Sequence, residues 1–351
     1  MKNLMNNLQE KWASIVEERP WLNWIFLSAV LLAVSVFPLI KFPQSAFWVR
    51  VFAYTGLYII LGLGLNIQVG FTGLLNLGFV AFYAIGAYTY AILASGQFGI
   101  HLSFWLILPV ASLIAFFAGV LLGIPVLRMR GDYLAIVTLG FGEIVRILAT
   151  NLKGITNGSQ GLIGIDSPYL FGKELSTGTQ FYYLIFVFLI LMIFFTTRLN
   201  RSRIGRAWTA LREDEDVTQM MGINTTWTKL LSFGIGSFIG GFGGVIFAAW
   251  QGSIFPNNFN LYVSIYVLCL VIIGGMGSIP GVIVGSIALI TLPDVLRQFS
   301  DYRILLFGLL LVVMMIARPS GFIPARRPKM EGLNLIDQRS QGDKTTEEVS
   351  S

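Results

Sequence analysis

Three groups of polar residues interrupt an otherwise apolar chain and could do chemistry. Glu143 and Arg146, in GEIVRIL, stand three apart. On a helix they share a face and can neutralise each other, or the carboxylate could relay a proton. In LNIQVGFTGLLNLG, Asn66, Gln68, Thr72 and Asn76 bracket Gly70 and Gly73. A polar group in hydrocarbon must find a partner or line a wet cavity, so this is either a broken helix along a substrate path or an inner turn capped by Asn and Thr. The third group is GRAWTALREDEDVTQMMGIN, Gly205 to Asn224, with six charged residues in a chain that is only 12% charged.

Other chemistries are excluded by composition. The single His101 and single Cys269 leave no His-rich or multi-cysteine metal site and no intrachain disulfide. No G-x-x-x-x-G-K-S/T phosphate loop, H-E-x-x-H or G-x-S-x-G occurs, so neither nucleotide hydrolysis nor other enzymatic activity is expected. A formal charge of +6 is read as charge flanking membrane spans, not as a nucleic-acid surface.

The elements that must position these groups are apolar spans. The chain is 55% hydrophobic with 28 Phe, and its mean hydropathy is +0.73, far more apolar surface than a soluble domain hides. A membrane helix needs roughly 20 apolar residues. Such stretches occur near 21–40, 51–69, 74–94, 104–127, 132–150, 181–197, 229–250, 259–277, 281–299 and 302–317. The expected fold is therefore an all-α, polytopic membrane bundle of about ten transmembrane helices. The first span follows Lys2, Lys11 and Arg19 without an A-x-A site, as in an uncleaved anchor.

Seventeen of the 24 Lys and Arg residues fall in the N-terminal segment, at Arg128 and Arg130, in 198–229 and from Arg318 through the C-terminal tail. By the positive-inside rule these parts, and both termini, are cytoplasmic. The expected organisation is a cytoplasmic segment 1–20, a membrane domain 21–320, and a polar, disordered tail 321–351. The Gly-rich loop 151–180 then lies outside, and 206–224 forms a cytoplasmic helix.

At about 100° per residue, Ala207, Ala210, Leu211, Val217 and Met221 share an arc broken only by Asp214, and Gly222 offers a left-handed stop. Gly236, Gly240 and Gly244, beside Ser237 and Gly241, form small-residue stripes suited to close helix packing. GGMGSIPG, Gly274 to Gly281, must break a helix and reads as a tight inner turn. Asp294 and Arg297 repeat the spacing of Glu143 and Arg146 near an outer membrane edge, where a solvated pair is expected.

Four segments in order, LNIQVGFTGLLNLGFVAFYAIGAYTYAIL, LRMRGDYLAIVTLGFGEIVRIL, GRAWTALREDEDVTQMMGIN and LVIIGGMGSIPGVIVGS, resemble the signature segments of LivM-type permeases. The resemblance runs from about Phe47 to Pro324. It implies a multi-pass permease of the plasma (inner) membrane, carrying branched-chain or other neutral amino acids. It further implies a homologous second permease, two cytoplasmic ATP-binding subunits and an external solute-binding protein. This chain itself would bind no cofactor, with ATP and Mg used by the ATPase subunits. The segment Ala207 to Asn224 resembles the coupling helix, with Ala207 and Leu211 on its apolar face and Glu213, Asp214, Glu215 and Gly222 as the contact core. Importers of urea and short-chain amides share this architecture and are the alternative within the class. An ion-coupled carrier using Glu143 is the alternative outside it.

Overall fold

The computed structural model describes residues 45–126, 129, 131–170, 173–295, 308, 312, 316 and 321–324. The spans expected at 21–40 and 302–317, both termini and Arg297 lie outside this set or touch it only at isolated positions.

Each of the other eight expected spans falls on a helix. They are α1 (Ser45–Leu65), continued by a π-helical turn Asn66–Phe71, α2 (Phe79–Leu93), α3 (Phe104–Val126), α4 (Asp132–Asn151) and α5 (Gly178–Asn200). Two short helices follow, α6 (Arg203–Glu213) and α7 (Glu215–Met220), then α8 (Thr225–Gln251), α9 (Leu261–Gly274) and α10 (Ile279–Val295).

Six stretches among the described residues are long and apolar enough to cross a membrane, and Phe79–Leu93 and Ile279–Thr291 are shorter apolar helices. The span expected at 74–94 is thus shortened. Leu74 to Gly78 are not helical, because the polar side chains around them bond elsewhere, as set out below.

Helix α8 is the most buried of the crossing stretches and packs against α3, α2 and α1. Its glycines explain why. A Cβ at Gly244 would lie 2.1 Å from the Tyr83 carbonyl oxygen, and one at Gly86 would lie 2.1 Å from that of Gly241. The Gly236–Gly240–Gly244 row faces α1 and α2, while Ser237 and Gly241 meet Gly119 and Ala115 of α3. Lipid gives no hydrophobic drive for helix association, so such backbone proximity and its dispersion contacts supply much of the packing energy.

At one end of the bundle the Gly-rich segment after α4 is more ordered than its composition suggests. Strand β1 (Leu162–Ile163) pairs with Ser253–Ile254 beyond α8, and Tyr169–Leu170 pairs with Lys173–Glu174 in a small hairpin. Tyr90 donates to the Asp166 carbonyl at 2.7 Å, and Trp105 donates to that of Tyr169 at 2.9 Å. At the other end, α9 and α10 meet through the expected glycine turn, with Gly275 at φ 117° and Gly277 at φ 83°. Of the tail expected from residue 321, only 321–324 are among the described residues. Phe322 and Ile323 donate backbone hydrogen bonds of 2.8 and 3.0 Å to Ile273 and Gly274, so Gly321–Pro324 is packed against this turn.

Candidate functional site

The four polar residues carried by the second and third expected spans converge where α1 ends. Asn66, Gln68, Thr72 and Asn76 are all buried and bond mainly across elements. Asn66 Oδ1 accepts from Gly277 N at 2.9 Å, tying the π turn to the glycine turn. Gln68 Nε2 donates to the Phe233 carbonyl of α8 at 3.1 Å, and Asn76 Nδ2 donates to Gln68 Oε1 at 2.7 Å. Thr72 Oγ1 donates to the Gln68 carbonyl at 2.5 Å and lies 3.1 Å from Ser232 Oγ.

The first turn of α2 starts inside the bundle, where unpaired N–H groups are costly. Thr138 Oγ1, Asn76 Oδ1 and Ser264 Oγ accept from Leu77 N, Gly78 N and Val80 N at 3.1, 2.8 and 3.0 Å. The helix is thus broken here, and the first turn of α2 is capped. Two clefts, of about 490 and 520 Å³, open around Arg50 and Tyr54, and none of the four residues lines either.

Against this segment rests the charged stretch, and it is not one helix. Asp214 adopts an extended conformation (φ −157°, ψ 121°) and ends α6. Its Oδ1 then accepts from Asp216 N and Val217 N at 2.9 and 3.0 Å, capping α7. A capping carboxylate satisfies orphan amides better than a continued helix would have used an Asp, so the chain bends into an elbow here.

The apolar face differs accordingly. Gly205, Trp208 and Leu211 are its buried positions on α6, and Ala207 is half-buried. Val217 and Met221, expected on the same arc, are exposed, as are Met220 and Trp227. Gly222 does take the left-handed conformation, at φ 83°, with open space around it.

Three contacts fasten the elbow to the bundle. Trp208 is fully buried, stacks on Phe71 with ring centroids 6.4 Å apart, and donates from Nε1 to the Thr228 carbonyl at 2.9 Å. Glu215 is ion-paired with Lys229 at the start of α8. Arg212 Nη1 donates to the Gly70 carbonyl at 2.6 Å. Of the acids expected to form a contact core, Glu213 and Asp214 are exposed, whereas Glu215 is engaged within the chain. Sequence reasoning missed Trp208, Arg212 and Lys229. The signal for Trp208 was available as the largest apolar side chain in a polar segment. For Arg212 and Lys229 there was none, because their partners come from other elements.

In α4, Arg146 Nε and Nη2 lie 2.9 and 2.8 Å from Glu143 Oε2, so the expected pair forms. The two side chains are 33% and 31% exposed, on a helix that also exposes Ile136, Ile144, Ile147 and Leu148.

Residues 47–318 match the model of the family described as the branched-chain amino acid transport system permease component. The chain belongs to this family. It is 44% identical to the high-affinity branched-chain amino acid transport system permease protein LivM of Escherichia coli over 330 residues, covering 88% of this chain and 76% of that one. The LivM of Salmonella typhimurium matches equally, at 44% over the same shares. LivH of Salmonella typhimurium, a permease protein of the same transport system by its name, is 25% identical over 292 residues, or 78% of this chain and 92% of its own. No solved structure matches. The protein is a membrane-embedded transport permease, and its elbow, π turn and glycine turn form one connected cluster in that permease.

Proposed function

We propose that this chain is one of two homologous permease subunits of an ATP-driven importer for branched-chain amino acids, moved by separate cytoplasmic ATP-binding subunits and loaded by an external solute-binding protein. The observation that carries the reading is the elbow α6–α7. A charged hairpin of helices is anchored by Trp208, Glu215 and Arg212 to two membrane elements, the π turn and α8, yet leaves Val217, Met220, Met221 and Trp227 exposed among Glu213, Asp214 and Asp216. Exposed large apolar groups ringed by acids suit a protein partner better than water. An ATPase that docks there can shift the permease between two states in proportion to its preference for one of them. ATP and Mg belong to that partner, and this chain holds no cofactor. The elbow end is the cytoplasmic one and the strand-bearing end the external one.

The second permease is supported by the likeness to both LivM and LivH, and by α4. A half-exposed ion pair within an apolar span is costly against lipid. We place the second permease, or the wet path between the two, over this face. Reconstitution in liposomes with two permeases, two ATPases and the binding protein tests the whole reading. Leucine uptake that needs ATP and survives an uncoupler is expected. Uptake abolished by the uncoupler at constant ATP would favour the ion-coupled alternative.

A further inference from the structure

We propose that Arg212 is the positioning residue through which the elbow moves the interior of the permease, its guanidinium gripping the π-helical turn at the Gly70 carbonyl. The inference rests on the permease reading above and says how motion of the elbow enters the membrane domain.

The geometry singles out Arg212 in three ways. First, its partner is unusual. Arg212 is flanked on the elbow by Glu213, Asp214, Glu215 and Asp216, yet its Nη1 donates across the structure to the Gly70 carbonyl at 2.6 Å. Gly70 lies in the last turn of its helical segment, where carbonyls lack intrahelical partners and carry the negative end of the dipole, so a guanidinium fits there. The stem of the same side chain passes Gly73, whose Cβ would sit 3.2 Å from Arg212 Cγ.

Second, Gly70 is a node with no slack. A Cβ there would lie 2.0 Å from Asn66 Oδ1 and 2.5 Å from Gly277 N. The backbone at Gly70 therefore touches the side chain that ties the π turn to the glycine turn between α9 and α10. Movement of the Gly70 backbone toward Asn66 or Gly277 is therefore blocked unless they move with it. The Trp208–Phe71 stack holds the adjacent residue to the same short helix α6, so elbow and π turn meet at two successive positions.

Third, the gripped element can have two arrangements. A π turn holds one residue more than an α-helical turn, and losing or shifting it rotates everything beyond it. Among the described residues Asn66 Nδ2 is buried without a hydrogen-bond partner, which costs free energy in this state and would be relieved by a rearrangement that gives it one. A coupling route requires such an element, biased from the site that drives it.

The test uses the assembled transporter in liposomes with leucine-loaded binding protein, measuring leucine uptake and phosphate release together. Arg212→Met removes the grip and keeps the stem, while Arg212→Lys keeps the charge but not the planar fork. For Arg212→Met we expect normal co-purification of the ATPase subunits and continued stimulated hydrolysis, with leucine moved per phosphate falling at least about 10-fold, the size of an ordinary coupling free energy. Arg212→Lys should fall between the two. An unchanged ratio of leucine to phosphate in Arg212→Met overturns the proposal. So does loss of the ATPase subunits from that variant, which would make Arg212 part of the docking surface instead. Wild-type transporter that moves no leucine with ATP overturns the permease reading itself, and that sample reports it independently of any variant.

Discussion

Lys229, at the first turn of α8, is almost fully buried, and its ammonium is paired with the Glu215 carboxylate of the elbow, which is itself about a quarter exposed (side chains 6% and 27%). The asymmetry sets the cost of breaking the pair. Glu215→Gln leaves a buried ammonium without its charge partner and should destabilise by about 2 to 4 kcal/mol. Lys229→Met leaves a carboxylate that water can reach and should cost less. The double variant should recover much of the Glu215→Gln loss. A thermal unfolding series of the detergent-solubilised complex checks this, and purely additive losses would mean that the pair is not coupled.

Elbow docking separates the acids by what they touch. Glu213→Lys and Met220→Asp change exposed groups and should leave the permease as stable as wild type, within about 0.5 kcal/mol. Both should weaken co-purification of the ATPase subunits and their stimulation by loaded binding protein. Gly222→Val adds strain at φ 83° of the order of 1 to 2 kcal/mol and should redirect the chain leaving α7. Full stimulation in all three variants would show that the elbow is only a connector.

Topology is open to direct labelling. In a Cys269→Ser background, Ser159→Cys and Met220→Cys place thiols on exposed residues at opposite ends of the bundle. An impermeant maleimide added to whole cells should label the first and spare the second, and inside-out vesicles should reverse this. Labelling of both from one side would overturn the assignment of the two ends.

Close packing at α8 should be intolerant of any side chain. Gly244→Val puts a branched Cβ within 2.1 Å of the Tyr83 carbonyl oxygen. Backbone cannot give way as a side chain can, so the loss should reach or exceed the usual overpacking cost of about 1 to 3 kcal/mol. A sharp fall in monodisperse protein after detergent extraction is expected. Gly140→Val, where nothing lies within 4 Å of the added atom, is the contrasting control for folding.

The α4 face predicts a neighbour. Ile136→Cys or Ile144→Cys, both exposed in the isolated chain, should form a disulfide with a suitably placed cysteine on the second permease. Glu143→Gln should leave uptake resistant to uncoupler. Accessibility of both positions to a lipid-phase probe in the assembled complex would instead assign this face to the bilayer.

How much of this was legible from the residues differs from element to element. Hydrocarbon imposes a length and an apolar composition on any crossing helix, so the eight spans within the described residues could be located from local sequence alone. The glycine stripe of α8 and the GGMGSIPG turn were readable for the same reason, because lost side chains and fixed φ are local properties. The ordered segment after α4 was only partly legible. Its first strand pairs with Ser253–Ile254, which is remote in sequence and too short to announce itself. Asp214 was misread as a flaw in one amphipathic face because periodicity counts side-chain polarity and ignores the competing use of a carboxylate as a cap.

The site divides along the same line. The polar types in LNIQVGFTGLLNLG declared that something unusual happens where α1 ends, since buried amides must be satisfied. Their partners are the backbones of Gly277 and Phe233, which no side-chain pattern reveals. Glu143 and Arg146 had to meet, being three apart on one helix, but which way they face depends on the helices packed around α4. Arg212 stood in the sequence as one more charge on a polar surface. Its role was decided only when the fold brought the Gly70 carbonyl, at the open end of another helix, within 2.6 Å of its guanidinium. Sequence fixes the interactions that lie within a few residues of each other, whereas a hydrogen bond between chain segments 142 positions apart exists only once the packing of the helices between them has been settled.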